Sequence, residues 1–110
     1  MTFPVVTRSM MPGKLTTALQ LNFKGWLTGP VFFIGADSFS RTWLATNRDR
    51  LARAGATGIV VNVVSLDEFR AMQALAPVLP MAPASVESLA SQLGIRVYPV
   101  VISTNGLVAQ

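Results

Sequence analysis

The residues whose types and spacing come nearest to a site are Asp37, Ser38 and Ser40, grouped in Asp37-Ser38-Phe39-Ser40-Arg41 just after an apolar run. A helix is predicted to begin there, where free backbone N–H groups and the helix dipole favour a carboxylate or an anion. A helix cap is the plain reading, and an anion or peptide-carboxylate site is the other. A serine nucleophile lacks a base, because the 110 residues contain no histidine and Lys14 and Lys24 lie in a weakly patterned segment. Cysteine is absent as well. Together these absences remove thiol redox chemistry, cysteine nucleophiles, histidine general bases and the usual zinc ligands. No catalytic residue, metal ligand set or cofactor is expected.

Other polar and aromatic residues carry weaker signals. Tyr98 precedes Pro99 and reads either as a contact residue or as a buried aromatic with its hydroxyl satisfied. Trp43 falls on the apolar side of its helix and belongs to the core. Trp26, in the amino-terminal segment, either covers the sheet or faces a partner. Arg41 and Arg48 lie on a polar face. Asn62, set between valines in a strand, needs its amide satisfied internally. Nine Lys/Arg against five Asp/Glu give a net charge of +4. They form no block of like charge, so they read as a solvated surface rather than a nucleic-acid interface.

The elements that must position these residues are legible in the apolar pattern. The composition is 51% hydrophobic and 13% charged with a mean hydropathy of +0.48, enough for one domain with a real core. No apolar run approaches the roughly 18–20 residues of a membrane span. The start of the chain shows no basic-then-apolar signal peptide. Residues 1–29 read as an arm, with a short edge strand at Phe3–Thr7 and one or two helical turns in Lys14–Leu21. Residues 30–110 read as the domain proper. Val31–Gly35 is a strand; Phe39, Trp43, Leu44, Asn47, Leu51 and Ala54 then share one side of a helix that Gly55 ends. Thr57–Val64 is a second buried strand. Ser65 and Glu68 form a capping box, and Leu66, Phe69, Met72, Leu75 and Ala76 give the next helix its inward face. Pro77, Pro80 and Pro83 make an extended connector. Ser85 is the expected cap of a short helix with Val86, Leu89, Ala90 and Leu93 inward, closed by Gly94. Val100–Ile102 and Leu107–Ala109 follow as a hairpin, with Asn105-Gly106 predicted as its type I′ turn. The order implies a mixed sheet, with Val31–Gly35 parallel to 59–64 and antiparallel to 100–103.

The return strand Leu107-Val108-Ala109 contains no charge or proline to blunt an edge. Either the arm, with Phe23 and Trp26, or another chain must cover it. The arm is favoured for part of it. An apolar partner patch of at least a few hundred Å² is expected to remain around Trp26, Leu107 and Val108.

The series helix, Gly94-Ile95, Tyr98-Pro99, buried strand, Asn-Gly turn and return strand resembles the second half of a thioredoxin fold. The likeness covers about residues 30–110. It implies an α/β, thioredoxin-like mixed sheet flanked by helices, with Asp37–Arg41 where the Cys-x-x-Cys motif would stand. It also implies a cis Tyr98–Pro99 bond beside that helix and a loop able to pair with an extended peptide. Asp37, Ser38, Ser40, Arg41, Tyr98 and Pro99 would then form one binding surface. Gly35, Asp37, Ser40, Trp43 and Leu44, with Leu93, Gly94, Tyr98, Pro99, Gly106 and Gln110, are similar to a pattern in proteins of bacterial integrating conjugative elements. Those proteins resemble the thioredoxin-like pilus-assembly proteins of F-type conjugation, which act in the periplasm. Arg96–Val97 departs from the pattern, since many members have a histidine next to the tyrosine. The resemblance implies a non-catalytic, periplasmic component of a conjugative apparatus that contacts other apparatus proteins. The alternative is a thiol- or glutathione-handling enzyme, or a peptide- or anion-binding module, at the Asp37–Ser40 and Tyr98–Pro99 surface.

Overall fold

The computed structural model describes residues 2–21 and 27–110. The amino-terminal segment forms two short strands, β1 (Met11–Pro12) and β2 (Leu19–Gln20). Then follow β3 (Val31–Gly35), α1 (Ser38–Arg53), β4 (Thr57–Asn62) and α2 (Leu66–Leu75). The remainder gives β5 (Met81–Pro83), α3 (Glu87–Leu93), β6 (Val97–Tyr98), β7 (Val100–Ile102) and β8 (Leu107–Ala109). The main sheet runs β2-β8-β7-β3-β4-β5, and β1 pairs with β6 separately. As the element order implied, β3 is parallel to β4 and antiparallel to β7. The result is a mixed α/β fold, a six-stranded sheet with three helices among the described residues.

Strand periodicity sorts the side chains into two layers. Phe32, Ile34 and Val60 pack with Trp43, Leu44 and Leu51 of α1 and Met72 of α2. Phe33, Val61, Val100 and Ile102 face the other way, against Ala90 of α3 and against Met10 and Leu21 of the arm. Phe32 and Trp43 meet at a centroid distance of 6.1 Å with tilted rings, a geometry that adds about 0.5–1.5 kcal/mol to their burial. Asn47 spends its amide on the Trp43 carbonyl, which is how a polar residue occupies the inward side of α1. Ser65 caps α2 through Glu68 N–H, and the Glu68 carboxylate returns to Val64 N–H. Gly94 takes φ 71° and closes α3.

Several local expectations give way to tertiary contacts. The Lys14–Leu21 stretch is not helical; Leu19 and Gln20 instead pair with Val108 and Leu107, giving the β8 edge its partner. The proline-rich connector contributes β5, which extends the sheet beside β4. An edge strand tolerates Pro83 because one side of it needs no N–H donor. Ser85 does not cap α3. The cap position is Val86, whose N–H donates to Thr7 Oγ1, while Ser9 N–H donates to both Glu87 carboxylate oxygens. Those bonds from Ser9 hold the Glu87 carboxyl below the usual carboxylate range. Leu66 and Ala54, expected inward, are exposed. The hairpin is not type I′: Gly106 N–H donates to Ser103 O, no non-glycine residue of the turn has positive φ, and within the turn Gly106 alone is left-handed, at φ 89°. That is a three-residue connection with glycine at the left-handed position.

Candidate functional site

Asp37 is the N-cap of α1, with its Oδ2 accepting from Ser40 N–H at 3.0 Å. Ser40 Oγ donates to Asp37 Oδ1 at 2.7 Å and accepts from Gly35 N–H at 3.0 Å. A closed ring of bonds thus joins the end of β3 to the start of α1, and Ser40 is fully buried within it. Arg41 turns its Nε to Ala36 O at 3.1 Å, and Ser38 is exposed. The cap reading of these residues therefore accounts for the positions of Asp37 and Ser40.

Tyr98 comes to the same place from β6. Its ring lies so close to Gly35 that a Cβ there would stand 2.4 Å from Tyr98 Cε1 and 2.7 Å from Asp37 Oδ1. Only glycine fits between the two residues. Tyr98 is 4% exposed, and its hydroxyl accepts from Asn62 Nδ2 at 3.2 Å. Burial pushes the phenol above its ordinary range; the Asn62 bond works against this and the nearby Asp37 charge adds to it. The Tyr98–Pro99 bond is cis, as is Phe3–Pro4. The sequence-predicted residues Asp37, Ser40, Tyr98 and Pro99 are thus brought together at one end of β3.

The arm completes this place. Val5 pairs with Val63 by two backbone bonds. Thr7 N–H donates to Asn62 Oδ1 at 2.7 Å, Asn62 Nδ2 donates back to Thr7 O at 3.2 Å, and Thr7 Oγ1 donates to Val61 O. Farther on, Met11 N–H donates to Arg96 O and Gly13 N–H to Tyr98 O, both at 3.1 Å. The carbonyls flanking Val97 that an extended peptide would use are therefore taken by the chain itself. What stays open is a cleft of about 310 Å³ between Pro4–Val6, the Asp37 end of α1, Tyr98, and Val64 with Glu68. Among the described residues no group of His, Cys, Asp and Glu could hold a metal ion, and no helix is long and apolar enough to cross a membrane.

Comparison with known proteins adds one finding: the model of the family described as protein of unknown function (DUF2859) matches residues 1–107, the arm and the sheet together. The chain belongs to that family. No curated protein and no solved structure matches it. In this DUF2859 protein one residue of the expected partner patch is closed. Val108 is fully buried, because Leu19 pairs with it from β2 and it faces the core; it is not a surface residue. Leu107 is 38% exposed, and Trp26 lies outside the described residues.

Two residues that organise the site had little or no signal in the sequence. Nothing marks Thr7, whose partners lie more than fifty residues away. Gln110 stood out only as the end of a Gly-x-x-x-Gln pattern. Its Oε1 accepts from Leu15 N–H at 3.0 Å, and its Nε2 donates to Gly13 O at 2.8 Å and Pro99 O at 2.9 Å. Trp43 Nε1 adds a bond to its backbone carbonyl. Gln110→Ala is expected to cost about 2 kcal/mol, since the three side-chain bonds contribute roughly 0.5–1.5 kcal/mol each and their partners can be partly rehydrated. Chemical denaturation measures this, and a loss under about 0.5 kcal/mol would show that the staple carries no weight.

Tyr98 is the only tyrosine, so ultraviolet titration reads it directly. The folded protein should ionise above the ordinary value of about 10. An unfolded chain loses that proton first. Stability is therefore retained below about pH 10 and falls as pH rises from there through the folded midpoint. A midpoint at or below the ordinary value would contradict the buried placement.

Proposed function

We propose that this chain is a thioredoxin-like domain without thiol chemistry, acting by protein–protein contact in a conjugative transfer apparatus. The observation that carries the reading is the ring of Gly35, Asp37 and Ser40 at the start of α1. On the thioredoxin-like reading this is where reactive thiols would stand, and the polar atoms of the ring are bonded to one another. The fold part is supported by the parallel β3-α1-β4 unit, the antiparallel β7-β8 hairpin and the cis Tyr98–Pro99 bond beside α1. The setting in an integrating conjugative element, and the periplasmic location, rest on the sequence resemblance.

The competing reading is a thiol-, glutathione- or anion-handling site at Asp37–Ser40. It loses support from the Asp37 carboxylate, which fills the helix start and would repel a second anion. The test is genetic. Deleting the gene from a conjugative element that encodes it should lower transfer frequency by at least tenfold, and the wild-type gene supplied in trans should restore it. Unchanged transfer overturns the apparatus role.

A further inference from the structure

We propose that the cleft between the arm and the start of α1 docks an extended segment of another protein, apolar at one residue and cationic beside it. This rests on the interaction role proposed above and names the kind of partner it would need. The rim of the cleft is apolar where water reaches it: Val6 is 45% exposed and Val64 66%, and Leu66, two residues on, is 44% exposed. These three side chains give the concavity an apolar rim that a partner's apolar side chain could cover.

Charge selects the partner. Asp37 and Glu68 line the cleft, and Asp67 stands beside Glu68 in the first turn of α2. Two of the chain's five acidic residues therefore line the cleft and a third is next to one of them in sequence, although the net charge is +4. Of the cations near these residues in sequence, Arg41 turns its Nε to the Ala36 carbonyl, Arg8 lies close enough to Glu87 to act on its charge, and Arg70 follows Asp67 by three residues on α2. A lysine or arginine of the partner meets carboxylates at this place, and an anionic segment is repelled.

Tyr98 supplies an independent observation. It lines the cleft, is more than nine-tenths buried, and its hydroxyl accepts from Asn62. Among the described residues its own proton has no acceptor within hydrogen-bond reach. A backbone carbonyl of the docked segment completes it. The segment's apolar side chain covers Val6 and Val64, and its basic neighbour stands against Asp67 and Glu68.

The probes are two capped heptapeptides, one alternating lysine with valine and the other glutamate with valine, titrated into the full chain labelled for amide NMR. The lysine–valine peptide should shift the Val6, Val64 and Leu66 amides, and the glutamate–valine peptide should not. Val64→Ser and Asp67→Lys, both at exposed positions and checked for an unchanged fold by their spectra, should each weaken binding at least fivefold. Tyr98→Phe should weaken it about threefold while leaving the preference for lysine. Equal response to both peptides, shifts at other surfaces, no shift at millimolar peptide, or undiminished binding by Val64→Ser and Asp67→Lys would each overturn the proposal. The genetic test is read separately. Lost transfer without peptide shifts rejects the cleft and keeps the apparatus role; peptide binding with normal transfer rejects the role and keeps the cleft.

Discussion

Asn62→Ala is expected to destabilise the protein by about 3–4 kcal/mol, a large part of the roughly 5–15 kcal/mol typical of a domain. One side chain here satisfies three partners: Thr7 N–H, Thr7 O and the Tyr98 hydroxyl. Thr7 is 1% exposed, so truncation strands a donor and an acceptor where water reaches them poorly. Each stranded group costs about 1–3 kcal/mol. The damage should be local in pattern: hydrogen exchange at residues 5–10 should accelerate before exchange at β3 and β4 does. Asn62→Asp, which keeps the acceptor and loses both donated bonds, should accelerate the same amides. A loss under about 1 kcal/mol with the arm still protected would mean that Asn62 does not hold it.

Gly35→Ala is the second large effect, expected near 3 kcal/mol. The new methyl would need the space of Tyr98 Cε1 and Asp37 Oδ1 at once. Overpacking typically costs about 1–3 kcal/mol, and disturbing the Asp37 cap adds about 1. The ring has little room to yield, since Asn62 bonds its hydroxyl and Gly13 its backbone carbonyl. A second readout separates this cause from general loosening. If the phenol is driven toward water, its titration midpoint should fall back toward the ordinary tyrosine value. An alanine variant with wild-type melting and wild-type tyrosine titration would refute the close approach of Gly35 to Tyr98.

The parts of the fold that sequence disclosed are those whose physics is local. Val31–Gly35 is a continuous apolar run and Thr57–Asn62 is centred on the β-branched Ile59–Val61, and their pairing follows from the helix between them. Asp37 could be recognised as a cap because its partner is Ser40, three residues on. The arm is not legible in the sequence because its conformation is decided at a distance. Leu19 and Gln20 have no intrinsic reason to be a strand until β8 presents an unpaired edge. Met81–Pro83 looked like a connector because three prolines outweigh its short pattern, whereas the edge of β4 recruits it. At the hairpin the sequence does mark Gly106 as a turn residue. Only the turn type differs, since Asn105 keeps negative φ and Gly106 alone turns left-handed.

The way the arm is fastened also sets an order of events for the folding chain. Its bonds join residues 55 apart at Thr7 and Asn62, 95 apart at Leu15 and Gln110, and 97 apart at Gly13 and Gln110. The β3-α1-β4 unit, in contrast, closes within a short span. Contacts between such distant residues repay the entropy of loop closure only after the intervening chain has taken shape. The strands β3 to β8 must therefore be in place before the arm, with its β2, has anything to bind. Fastenings made this late should contribute to equilibrium stability and little to the folding barrier, so weakening Thr7 or Gln110 is expected to speed unfolding and leave the folding rate almost unchanged in stopped-flow measurements.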